Sequence, residues 1–159
     1  MAGTYTKLYY HLVFSTKHRA ELITPAIEEK LFKYLCGIVR SLGGVCVEIG
    51  GMPDHVHILA LVPPKVALSD ALREIKAGSS KWVNESKENV VKFAWQDGYA
   101  AFTVSRSQLD SAARYVRDQR LHHKQRDFKT ELLGLLEKHG VEYDPRYIWD
   151  CRRRRRCAA

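Results

Sequence analysis

Asp54-His55-Val56-His57-Ile58-Leu59-Ala60-Leu61 is an apolar run that carries two imidazoles at positions i and i+2. Side chains alternate between the faces of an extended strand, so His55 and His57 share one face while Val56 points the other way, into a core. Imidazole is the commonest metal ligand among side chains, and two held side by side on a strand can grip a divalent cation. Two ligands do not complete a site, so a third must come from elsewhere. A bare His-x-His pair is as open to a satisfied pair of core or surface residues as to a metal. Leu59 stands where a third alternating histidine of a phosphate-hydrolase pattern would be, so that pattern is not met. Asp54 is the one carboxylate beside the pair, and alternation points it away from both rings.

The elements around this strand predict a small mixed fold. Tyr5 to Thr16 alternates and is rich in aromatic and β-branched residues, which reads as a first strand with Tyr10, Leu12 and Phe14 on one face and Tyr9, His11 and Val13 on the other. Pro25 after Thr24 opens a helix to about Ser41, and Gly43-Gly44 ends it. A second strand covers Val45 to Ile49, Gly50-Gly51-Met52-Pro53 turns, and the histidine strand runs from His55 to Val62. A helix starting near Ser69, expected to loosen around Gly78-Ser79-Ser80, leads to a short strand or extended piece at Val90 to Trp95 and a last strand from Tyr99 to Ser105. The order β-α-β-β-α-β is the split βαβ, ferredoxin-like arrangement of the α+β class: an antiparallel sheet with helices on one face.

Beyond this core, Ser107 to Lys124 reads as one appended helix with Ser107 as N-cap and Asp110 completing a box-like start. Leu109, Ala112, Ala113 and Val116 form its apolar stripe, and Tyr115 and Gln119, four apart, share a face. A further helix is expected from about Lys129 to His139.

The His-Val-His strand followed by a Tyr-x-x-x-Gln helix resembles the single-tyrosine HUH transposases of the IS200/IS605 family, which includes the REP-associated tyrosine transposases. Supporting words stand in the family's order: Tyr10-His-Leu-Val-Phe-Ser-Thr-Lys-His-Arg19, Gly51-Met-Pro-Asp-His-Val-His57, Leu72-Arg-Glu-Ile-Lys-Ala-Gly-Ser-Ser80, Trp95-Gln-Asp-Gly-Tyr-Ala-Ala-Phe-Thr-Val-Ser105 and Tyr115-Val-Arg-Asp-Gln119. His122-His123-Lys124 and Phe128-Lys-Thr-Glu131 are also familiar. The resemblance implies that Tyr115 is the nucleophile, that His55, His57 and Gln119 bind one Mg²⁺ or Mn²⁺, and that the substrate is single-stranded DNA with hairpins near the element ends. It implies a covalent 5′-phosphotyrosine, strand resealing without a nucleotide cofactor, and a homodimer in which the tyrosine helix serves either its own or the partner's histidines. Lys76, Lys81, Arg114 and Lys124 are candidate DNA-binding cations, each of which a solvated helix face also explains. Tyr9, Trp82 and Trp95 are candidate stacking platforms for which core packing is the leading alternative. A domesticated REP-associated nuclease, a hairpin-binding regulator without catalysis and a phosphohydrolase using water in place of Tyr115 remain as alternatives.

Composition bounds these readings. The 159 residues are the size of one ordinary domain, here residues 1–150, with a basic tail at 151–159 expected to be disordered. Arg152 to Arg156 supply five of a net charge of +8, which leaves the folded body at +3. A short basic arm of this kind can hold phosphates nonspecifically. No apolar run approaches the roughly 18 to 20 residues of a membrane span, and the N-terminus lacks a signal-like apolar core, so a soluble, cytoplasmic protein is expected. Cys36 and Cys46 read as small buried hydrophobes in a reducing compartment, and Cys151 and Cys157 flank the arginine run without a zinc-like spacing. No Gly-x-x-x-x-Gly-Lys phosphate loop is present.

Overall fold

A computed structural model of the chain describes residues 3–149 apart from residue 89. The elements β1 (Tyr9–Ser15), α1 (Pro25–Ser41), β2 (Val45–Met52), β3 (His55–Leu61), α2 (Leu68–Glu85) and β4 (Ala100–Val104) follow in the expected order. The sheet order is β2-β3-β1-β4 with every neighbouring pair antiparallel, the ferredoxin-like α+β arrangement. The tail at 151–159, with Cys151 and Cys157, lies outside the described residues. Among those described, no helix is long and apolar enough to cross a membrane.

Strand alternation sorts the sheet into two faces. Leu12, Phe14, Val56, Ile58 and Ala60 pack with Ile27, Leu31 and Leu35 of α1 and Leu72 and Ile75 of α2 in the main core. The opposite face is covered by α3 (Leu109–Arg117), α4 (Gln119–His122) and α5 (Phe128–Lys138). There Leu109 and Val116 of α3 meet Tyr9 and Leu59, and Phe128 and Leu136 of α5 meet Val13 and Phe102.

Several expectations are corrected. Gly50 and Gly51 lie inside β2, and the reversal is made by Pro53 and Asp54. The glycines serve close packing instead of turning: a Cβ on Gly50 would sit 2.0 Å from the Val116 carbonyl oxygen, so its bareness lets α3 lie directly on β2, and a Cβ on Gly51 would sit 2.4 Å from the His55 carbonyl oxygen of β3. Val90 to Trp95 is not a strand beyond a single bridge between Thr16 and Trp95. Asn84 takes the place of a ladder there, donating to the Phe93 carbonyl at 2.8 Å and accepting from the Phe93 N–H at 2.7 Å. α2 runs unbroken through Gly78-Ser79-Ser80, with Ser79 donating to the Ile75 carbonyl at 2.6 Å and accepting from Trp95 Nε1 at 2.8 Å. Cys36 and Cys46 are joined as a disulfide, with Cα atoms 5.3 Å apart, because β2 folds back along the end of α1 and brings them within bridging reach. Trp95 and Tyr9 are core residues, and Trp82 stacks on Tyr34 with centroids 4.9 Å apart.

Residues 107–124 do not form one helix. A turn at Arg106–Gln108 leads into α3, and Asp118, at φ −92° and ψ 25°, separates α3 from α4. Tyr115 and Gln119 thus lie on consecutive helices joined by a kink, and the Gln119 amide donates to the Tyr115 carbonyl at 3.2 Å.

Candidate active site

His55 and His57 sit side by side on β3, with no exposed surface and with ring centroids 5.2 Å apart. Each ring is gripped at Nδ1. Asp54 Oδ1 lies 2.6 Å from His55 Nδ1, and His11 Nε2, from β1, lies 2.8 Å from His57 Nδ1. Asp54 therefore corrects the alternation reading: it belongs to the turn, where the period of two does not apply, and its side chain folds back onto the next residue's ring. The Nε2 atoms of both histidines remain free to face the covering helices.

Tyr115, on α3 of the same chain, stands edge-on to this pair, its ring centroid 6.0 Å from that of His57. Its hydroxyl donates to Glu131 Oε1. The sequence reading assigned Glu131 no role, yet it is the centre of the site. Its Oε1 lies 3.4 Å from His57 Nε2, its Oε2 lies 3.6 Å from His55 Nε2, and Oε2 also pairs with His123 Nε2 at 2.6 Å. A signal was present in the sequence: α5 buries Phe128, Glu131 and Leu136, so an acid occupies a position on the apolar stripe of an amphipathic helix. Asp127 caps that helix by accepting from the Thr130 N–H at 2.9 Å.

Electrostatics follow from the packing. Burial alone would raise the Glu131 carboxyl, but the His55 and His57 rings that face its two oxygens, together with the hydrogen bond from Tyr115, outweigh it and hold the group well below the usual carboxylate range. Burial and then the Glu131 carboxylate push the Tyr115 phenol above its ordinary value, so this arrangement keeps it protonated. Burial lowers His57. It also pulls down on His55, where Asp54 and Glu131 prevail and the net shift is upward. His11 falls to about 3 through burial and then the neighbouring His57.

Three buried side-chain atoms have no hydrogen-bond partner among the described residues: His55 Nε2, His57 Nε2 and Gln119 Oε1. An unsatisfied buried polar atom costs about 1–3 kcal/mol, and a cation is a natural partner for all three. Ligand atoms of His55, His57 and Glu131 lie within 4.8 Å of one another, a two-imidazole, one-carboxylate donor set suited to a divalent transition ion. The candidate ligands His55, His57 and Gln119 are thus all buried on the site's side of the sheet, and Glu131 joins them. The candidate cations divide. Arg114, on α3, and Lys124, just beyond α4, are exposed on that side. Lys76 and Lys81 lie on α2, across the sheet; Lys76 Nζ donates to the carbonyls of Gln96, Asp97 and Gly98 at 2.5, 3.0 and 2.9 Å, and Lys81 pairs with Glu85 at 3.9 Å.

A ferredoxin-like sheet with a histidine pair facing a helix-borne tyrosine defines the single-tyrosine HUH class. The comparisons agree: the sequence model "Transposase IS200 like" matches residues 4–119, and the chain belongs to that family. It is 25% identical over 122 residues to the ISDra2 transposase TnpA of Deinococcus radiodurans, covering 74% of this chain and 87% of that one. A crystal structure of a protein assigned as a transposase from Deinococcus radiodurans R1 superposes with TM-score 0.58 at 25% identity, covering 75% of this chain and 95% of that one. The structure of a REP-associated tyrosine transposase bound to a REP hairpin gives TM-score 0.58 at 14% identity, covering 77% and 73%; at that identity it speaks for the fold.

Proposed function

We propose that the chain cuts and rejoins single-stranded DNA at hairpin-flanked ends through a covalent 5′-phosphotyrosine on Tyr115. The observation that carries this reading is the convergence of the Tyr115 hydroxyl, both histidine Nε2 atoms and the Glu131 carboxylate in one buried cluster. Attack by the Tyr115 oxygen, its proton passing to the Glu131 carboxylate that the hydroxyl already contacts, forms the O–P bond, and the bond to the 3′ oxygen breaks, leaving a 3′-hydroxyl once that oxygen takes a proton from solvent. The phosphotyrosine keeps the phosphodiester energy, so a second 3′-hydroxyl reseals the strand with no nucleotide cofactor. The relative solved with a REP hairpin supports a hairpin as the recognised element.

His55 and His57 would hold a divalent cation, Mg²⁺ or Mn²⁺, with Glu131 and Gln119 as the oxygen donors within the same buried region. When bound, the cation supplies charge neutralisation at the scissile phosphate and at the phenolic oxygen. Of the chain's own residues, Glu131 holds the tyrosine hydroxyl next to the histidines, and His123 holds Glu131. Asp54 and His11 orient the two imidazoles. Arg114 and Lys124, exposed on this side, are proposed to contact the DNA backbone, with Lys76 and Lys81 as more remote contacts. One tyrosine serves one cut, so two element ends call for two sites, and a homodimer supplies them. Within the single chain, Tyr115 stands beside its own His57, with ring centroids 6.0 Å apart.

The test is end-labelled single-stranded DNA carrying the element's flanking hairpins, incubated with Mn²⁺ and resolved on a denaturing gel. A covalent adduct on the 5′ side of the cut is expected from the wild type. Hairpin binding without adduct, with the correct DNA and metal present, would favour a non-catalytic regulator, and phosphoester hydrolysis that survives Tyr115→Phe would favour a water nucleophile. In parallel, Glu131→Gln is expected to weaken Mn²⁺ binding more than Gln119→Ala, because it removes the charged donor.

A further inference from the structure

His11 is a buried imidazole of β1 whose contact with His57 does more than orient that ring. It lies on β1, in register with Leu59 on one side and Phe102 on the other, and His57 sits one diagonal step away, opposite Val13. Diagonal neighbours in an antiparallel sheet are within reach of aromatic side chains. The two rings are near-parallel, at 28° with centroids 5.0 Å apart, and Phe102 and Tyr115 close around His11 at 6.2 and 5.9 Å. His11 is 5% exposed and His57 not at all, so the 2.8 Å contact between them is sealed from water.

The two histidines of the site are held in chemically different ways. The partner of His55 is a carboxylate, which only accepts; the Nδ1 of His55 must therefore carry a proton. The partner of His57 is another imidazole, which donates or accepts according to its own tautomer. If His11 donated from Nε2, His57 would carry its proton on Nε2 and the ligand position would be closed. If His11 instead carries its proton on Nδ1 and accepts at Nε2, His57 is Nδ1–H and its Nε2 lone pair is open.

We propose that His11 is a positioning residue: by accepting a hydrogen bond at Nε2 from His57 Nδ1–H, it selects the tautomer of His57 that presents Nε2 to a divalent cation. This rests on His55 and His57 being metal ligands. It also explains why a histidine stands in the middle of an otherwise aromatic and aliphatic strand face, where Phe would pack as well and would leave the buried Nδ1–H of His57 without an acceptor.

Two variants separate hydrogen bonding from packing. His11→Phe keeps the ring and removes the acceptor; His11→Gln offers a side-chain oxygen near the position of Nε2. The measurement is Mn²⁺ affinity by titration calorimetry on the full chain, with the ¹⁵N-detected tautomer of His57 read in the Mg²⁺-loaded protein. His11→Phe is expected to bind Mn²⁺ about 10–100-fold more weakly and to lose the single Nδ1–H signature, while His11→Gln restores both. Equal affinity of wild type and His11→Phe, or His11→Gln as weak as His11→Phe, overturns the proposal. If His11→Phe does not fold, wild type and His11→Gln decide: a loaded His57 protonated on Nε2 in the wild type is fatal. His57→Ala keeps the two failures distinguishable. Wild type that binds no Mn²⁺, or His57→Ala that binds as well as wild type, removes the metal centre itself; tight wild-type binding unaffected by His11→Phe removes only the role of His11.

Discussion

The two faces of one sheet do opposite work with alternate residues of the same strands. On the side of α1 and α2, Leu12, Phe14, Val56 and Ile58 are sealed in a predominantly apolar core, whose buried Ser79 is satisfied by Trp95 and the Ile75 carbonyl. On the other side, His11, His55 and His57 are just as buried but polar, and Glu131 and Gln119 are buried over them. The first face gains from burial, at about 25 cal/mol per Å² of apolar surface. The second pays desolvation for every polar group and recovers it only where a partner is supplied. Stability and chemistry are thereby separated by the thickness of one strand, and changes on the two faces should fail in different ways.

The largest expected effect is on the polar face. Tyr115→Phe removes only a hydroxyl, so adduct formation should fall more than about a thousandfold on the denaturing gel, with hairpin binding and the melting temperature close to wild type. On the apolar face the pattern reverses: Ile58→Ala should cost about 2–5 kcal/mol in urea unfolding, with Mn²⁺ affinity unchanged under conditions where the protein stays folded. A variant of Ile58 that abolished metal binding while remaining folded would break the separation.

Gly50→Ala tests how the polar face is assembled. The new Cβ would collide with the Val116 carbonyl, lifting α3 and moving Tyr115 away from the histidines. Misplacement of a reacting group by about 1 Å costs about a hundredfold in rate, so adduct formation should drop by that order in single-turnover assays while the α1 and α2 core persists. Cleavage unaffected by Gly50→Ala would mean that Tyr115 acts on another chain's histidines.

The smallest effect is a pH dependence that only the polar face can produce. His11 is neutral when folded down to about pH 3, while the unfolded chain takes up its proton near 6.5; the stability it contributes is lost as the pH falls through that window. His57, also lowered, adds to this fall, and His55, raised, opposes it. Glu131, held below its ordinary 4.5, contributes stability above that value that is lost on further acidification. Urea midpoints of the metal-free protein should therefore decline below pH 6.5 and more steeply below 4.5, and His11→Gln should flatten the upper part.

The difference between the faces also explains what could be read in advance. Alternation in β1 and β3 and helical spacing in α1 and α2 were plain, because an apolar core imposes its period on the sequence along each element. The positions of His55 and His57 followed from the same period, and Tyr115 and Gln119 from their resemblance to a family motif. Glu131 was written in the sequence as an acid on an apolar helical stripe, but nothing local says which sheet face that helix covers. Gly50-Gly51 was misread as a turn because a glycine pair looks alike whether the chain bends or another backbone presses against it.

By itself, then, the sequence determined the α+β order of elements, the face each strand residue occupies and the identity of the histidine pair, all of which depend on periodicities within about twenty residues. Only the tertiary structure decided that α3 lies on β2 of its own chain, that Cys36 meets Cys46, that Asp54 and His11 orient the two imidazoles, and that Glu131 joins Tyr115 to both. Apart from that of Asp54 with its neighbour His55, those contacts link residues on different elements, up to 76 positions apart between His55 and Glu131, and the polar ones form where packing leaves buried polar atoms that must find partners. No period in the chain encodes that demand.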